Sequence, residues 1–95
     1  MATVKLSHYV KKAPKSVSNV IDNEAVVIQP LMGKVNVLNE MGAFIWNFSD
    51  GSHTLEAIIG LIRGEYSVSQ EQATADVLEF VQAMVDRHLL IIFEA

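Results

Sequence analysis

The chain of 95 residues contains no cysteine. Disulfide cross-links, thiolate metal sites, iron–sulfur ligation and thiol catalysis are therefore excluded, and a cytoplasmic address is the expected one. Proline is scarce, at two residues, and there is a single Trp. No apolar run approaches the ~20 residues that a membrane-spanning helix needs. The N-terminus also lacks the continuous apolar stretch of a secretory signal, so no membrane partner is expected. Acidic residues are missing from the first fifteen positions, where Lys5, Lys11, Lys12 and Lys15 give a charge of +4. Beyond them, three basic residues (Lys34, Arg63, Arg87) stand against eleven Asp and Glu, a net of −8. A body this acidic repels the phosphates of nucleic acid. Residues 1–16 read as a basic, solvated and partly mobile arm, and 17–95 as the folded domain.

What is present fits a single globular domain: 51% hydrophobic residues and 19% charged. VSNVI (17–21), AVVIQ (25–29) and KVNVL (34–38) have strand character. Asp22-Asn23-Glu24 supplies turn chemistry after the first, and Pro30 with Leu31-Met32-Gly33 closes the second. An antiparallel three-stranded meander follows, with 34–38 at its edge. Asn39 is a good N-cap for a helix carrying Met41, Phe44, Ile45 and Phe48 at helical spacing, and Trp46 on the flank. Asp50-Gly51 stops that helix. Thr54 caps a second, where Leu55, Ile58, Ile59 and Ile62 form one apolar stripe up to Gly64. Ser69 and Gln72 make a capping box for the longest helix, about 70–87, and LLIIF (89–93) reads as a short terminal strand or packed tail. The predicted class is α+β and winged-helix-like, a three-stranded antiparallel sheet followed by three helices.

Reactive constellations are not apparent. His8, His53 and His88 are far apart in sequence, so no metal site is expected. The serines fall at caps and turns without a GxSxG elbow, and the scattered glycines form no phosphate cradle. No catalytic residue and no cofactor are expected. A winged-helix DNA-binding regulator is one alternative, but its candidate recognition helix carries Glu71, Asp76, Glu79 and Asp86 against one Arg, the wrong sign for phosphate contacts. A self-associating structural subunit is another.

The third helix is more apolar than one buried face requires. At about 100° per residue, Phe80, Ala73, Met84, Val77, Val81, Val85 and Leu78 cover about 160°, against ~100° for an ordinary surface helix. Either the helix is central, or the edge formed by Ala73, Phe80 and Met84, bordered by Asp76 and Arg87, faces a groove. An open strand at 34–38 beside such a groove suits β-augmentation, in which an extended peptide adds as a further strand. Val35 and Val37 share a face; if it points inward they are core, and only their backbone meets the guest.

The order of motifs is more specific than any one of them. Leu38-Asn39, Gly42, Ile45-Trp46, Asp50-Gly51, Thr54, Ile58, Tyr66, Val68, Asp76-Val77, Phe80-Val81 and Leu89-Leu90 follow one another across residues 17–91. In this the chain resembles the PqqD-like family of peptide-recognition domains. It departs from the pattern at His88, where Gly is frequent, and in a slightly longer LMG hairpin. The resemblance implies a winged-helix-like protein that binds the leader of a ribosomally made precursor peptide. The leader would dock antiparallel on the third strand and be presented to a tailoring enzyme, such as a radical-SAM protein or a leader peptidase, in lasso-peptide, PQQ or related biosynthesis. It further implies docking at Lys34, Val35, Asn36 and Val37, with a groove wall drawn from Ala73, Asp76, Val77, Phe80, Val81 and Met84, in a monomer or weak homodimer.

Overall fold

The computed structural model describes residues 3–21, 24–29 and 33–94. Its elements run β1 (Tyr9–Lys12), β2 (Val17–Ile21), β3 (Glu24–Gln29), β4 (Lys34–Leu38), α1 (Glu40–Asn47), β5 (Asp50–Thr54), α2 (Leu55–Glu65), α3 (Gln70–Asp86) and β6 (Leu90–Phe93). The α+β class and the sheet-then-helices order are those predicted. The turn residues Asp22-Asn23 and Pro30-Leu31-Met32 lie outside the described residues.

The predicted meander is present as an antiparallel sheet in the order β2-β3-β4. Register pairs Ala25 with Leu38 and Val27 with Asn36. These residues share the inner face, where Ala25 and Val27 are fully buried and Leu38 nearly so. The pleat sends Val35 and Val37 to the other face, where they are 62% and 67% exposed. They are therefore not core, which resolves the two readings of their shared face.

A second antiparallel sheet was not foreseen. It has the order β5-β1-β6, with β1 in the middle. Tyr9–Lys12 pairs along its length with Leu90–Phe93, and Tyr9 and Lys11 also pair with Thr54 and Asp50. Val10 is fully buried, while Lys11 and Lys12 carry their ammonium groups over the rings of Phe93 and Trp46, at 5.4 and 5.5 Å from the centroids. The reading of 1–16 as a solvated arm is corrected for this stretch. One central valine and two snorkelling lysines satisfy a strand that composition had marked as solvent-seeking. Asp50–Thr54, read as a stop and a cap, is also a strand. α2 runs to Glu65, one residue past Gly64.

Each helix opens on its predicted cap. Asn39 Oδ1 accepts from the Gly42 N–H at 2.9 Å, Thr54 Oγ1 from Ala57 at 3.1 Å, and Ser69 Oγ from Gln72 at 3.1 Å. The Ser69 box is half closed, because the Gln72 side chain turns forward and donates to Asp76 Oδ1 at 2.8 Å. Leu55, Ile58, Ile59 and Ile62 are all buried, as are Ile45 and Trp46. α3 ends in a Schellman arrangement, with Leu89 N–H donating to Met84 O and His88 N–H to Val85 O. This turn delivers β6 to β1 and leaves the outer side of β4 without a partner strand among the described residues.

Candidate functional site

A groove of about 380 Å³ runs between β4 and α3. The strand side is Val37, Leu38 and Asn39. Met41, Gly42 and Ile45 of α1 close one end, and α3 supplies Asp76, Glu79, Phe80, Ala83, Met84 and Arg87. The floor is apolar, with Ile45 fully buried and Met84 only 2% exposed. Phe80 is half-buried, so its ring offers a face to any guest.

Two local features hold this geometry. Gly42 lets Phe80 approach α1: a Cβ there would meet Phe80 Cε1 at 3.0 Å, Leu38 Cβ at 3.3 Å and Asn39 Oδ1 at 3.4 Å. At the other end Arg87 Nη1 donates to Asn36 Oδ1 at 3.1 Å, linking α3 to β4 across 51 positions of sequence. α3 is thereby held a fixed distance from a strand whose outer side has no partner strand among the described residues. Alternate residues of an antiparallel edge strand point their N–H and C=O outward, which makes β4 a template for one more strand.

Of the residues expected to form the site, Val37, Asp76, Phe80 and Met84 line the groove, and Asn36 is tied to its rim through Arg87. Lys34 and Val35 are exposed on the same strand outside the lining. Ala73, Val77 and Val81 are fully buried. They belong to the hydrophobic core and lie outside the groove's lining: the wide apolar arc of α3 serves two surfaces, and these three lie on the inner one. Leu38, Asn39, Met41, Gly42, Ile45, Glu79 and Ala83 were not anticipated. Gly42 was the available signal, since glycine inside a helix marks a close approach.

Asp50, Ser52 and His53 form a separate polar cluster on β5. Asp50 Oδ1 lies 3.0 Å from His53 Nδ1 and accepts from the Ser52 backbone N–H (2.9 Å) and hydroxyl (2.8 Å). These contacts, the His53 one foremost, hold the Asp50 carboxyl well below the usual carboxylate range. No helix among the described residues is long and apolar enough to cross a membrane.

Comparison with known proteins gives the same architecture. The chain is 30% identical to TbiB1, solved in complex with the TbiA(beta) leader peptide; the match covers 84% of this chain and 93% of that one, with a TM-score of 0.78. The heterocyclase TruD is similar in fold at 18% identity and a TM-score of 0.61, over 90% of this chain and 12% of that much longer one. No curated protein sequence is similar enough to count as a match. The family described as coenzyme PQQ synthesis protein D (PqqD) matches over residues 24–90, from β3 to the start of β6. The chain belongs to the PqqD family.

Proposed function

We propose that this protein binds the leader segment of a ribosomally synthesised precursor peptide by strand addition to β4, without catalysing a reaction itself. The observation that carries the reading is the outer side of β4, unpaired among the described residues, beside the groove of Phe80 and Met84. Similarity to TbiB1, which was solved with a leader peptide, supports it. Ladder hydrogen bonds give affinity largely independent of sequence, and alternate guest side chains enter the groove.

Binding acts by position. A tethered leader raises the effective concentration of the peptide's modifiable part at a partner's active site. The receiving partner is a tailoring enzyme, of which a radical-SAM protein and a leader peptidase are the candidate classes, and the setting is the cytoplasm. The protein works as a monomer or weak homodimer, because a second copy pairing through β4 would occupy the leader's place.

Backbone N-methylation of the precursor's leader, one residue at a time, tests the mechanism. Affinity, expected near micromolar or about −8 kcal/mol, should fall at every second position of the docked segment and stay unchanged between. A scan with no period of two would contradict strand addition. Sedimentation at several concentrations, with and without the peptide, tests the oligomeric state: dimer that the peptide fails to dissociate would contradict use of a shared edge.

A further inference from the structure

The groove is electrically polar along its length. Asp76 and Glu79 line one end, beside Asn39 and Gly42, whereas Arg87 lines the other, against Asn36. Lys34 continues the strand beyond Asn36 on the same face, by the alternation that puts Leu38 and Asn36 inward. Neighbouring charges do not cancel this order. Glu40, at the start of α1, is outside the lining and accepts from the Tyr66 hydroxyl at 3.0 Å. Asp86 sits on another flank of α3, accepting from Gln82 Nε2 at 3.0 Å, where Gln82 in turn accepts from the Val4 N–H.

We infer that the site selects peptides by charge order: a basic residue, then an apolar one, then an acidic one, at alternate positions from the N-terminal to the C-terminal side. The inference rests on the leader-docking reading and adds direction and register to it. β2, β3 and β4 are antiparallel, and antiparallel pairing is the slightly more stable continuation. An added strand then starts beside Leu38 and ends beside Lys34, so its first part meets Asp76 and Glu79 and its last part meets Arg87. At 1.5 Å per residue, Glu79 and Asp76 lie about 12 and 16 Å along α3 from Arg87. That span equals about four to five residues of extended chain at 3.3 Å each. Groove-facing positions alternate, so the pattern is basic at i, apolar at i+2 over Phe80 and Met84, and acidic at i+4.

The test is selection from a displayed library of short random peptides, followed by affinity measurement on resynthesised binders and on copies with the two charged positions exchanged. The exchanged copies keep composition and net charge, so the overall acidity of the protein affects both alike. Binders should carry the basic–apolar–acidic order, and exchange should weaken them roughly tenfold at low salt, as two exposed ion pairs allow. Replacing Glu79→Lys together with Arg87→Glu, both exposed, should abolish the preference with the helical circular dichroism unchanged. Equal affinity for both orders, preference for the reverse order, or a preference surviving in the double variant would overturn the charge rule while leaving leader docking intact. A library yielding no binder overturns the docking reading beneath it.

Discussion

His88 follows α3 with φ 61, in the C′ position of the Schellman turn. A side chain in this left-handed conformation costs about 1 kcal/mol relative to glycine. His88→Gly should therefore raise the melting temperature by about 4–8 °C in a chain of this size; calorimetry showing no gain would mean that the imidazole makes a compensating contact. The family pattern's frequent Gly at this position has the same physical basis. Gly42 presents the opposite case. Gly42→Ala improves helix propensity by about 1 kcal/mol, but its methyl would press on the Phe80 ring and on Leu38 Cβ. The ring should yield toward the groove, so leader affinity is expected to fall several-fold while the protein stays folded. Unchanged affinity would show that Phe80 moves some other way. Sequence spacing placed Ala73, Phe80 and Met84 at one edge of α3, yet Ala73 is fully buried with Val77 and Val81, since all lie within one apolar arc and only tertiary packing divides it.

Strand β1 is one of two elements that sequence reading missed, and the reason is its length and its distance from its partners. Four residues, two of them lysine, give no useful alternation, and both neighbouring strands lie about forty or more positions away. Strand β5 was read only as a stop and a cap, whereas β2, β3 and β4 follow one another directly and the three caps are local chemistry, so those were legible. The energetic consequence is testable. Val10→Ala removes buried methyl groups worth about 2 kcal/mol, a drop of about 8–16 °C in melting temperature, whereas a solvated arm would tolerate it without change. Strand β5 carries a pH dependence. Because the Asp50 carboxyl is depressed in the folded state, its stabilisation is complete above the ordinary carboxylate value, near 4, and is lost as pH falls below it. Asp50→Asn should melt lower than the parent at neutral pH, and the gap should narrow in acid. A constant gap would assign the loss to the altered turn and not to the charge.

At the scale of the whole molecule, the two sheets have different tasks. The β5-β1-β6 sheet pairs β6 with β1, so β6 does not cover β4. The other sheet ends in a bare edge, kept short and flanked by Lys34, features that limit indiscriminate pairing. The edge was readable from strand order, and the need for a groove from the excess apolar surface of α3. The contribution of α1 was not readable, because Met41 and Ile45 acquire their role only when Gly42 lets Phe80 close against them. The most direct measurement is residue-resolved amide exchange of the protein alone and with a leader peptide. Alternate amides of residues 34–38, those facing away from β3, should slow at least about tenfold on binding, as new ladder donors do when opening costs more than 1.4 kcal/mol extra. Protection that leaves these amides unchanged and falls instead on β2, β5 or β6 would contradict docking on β4.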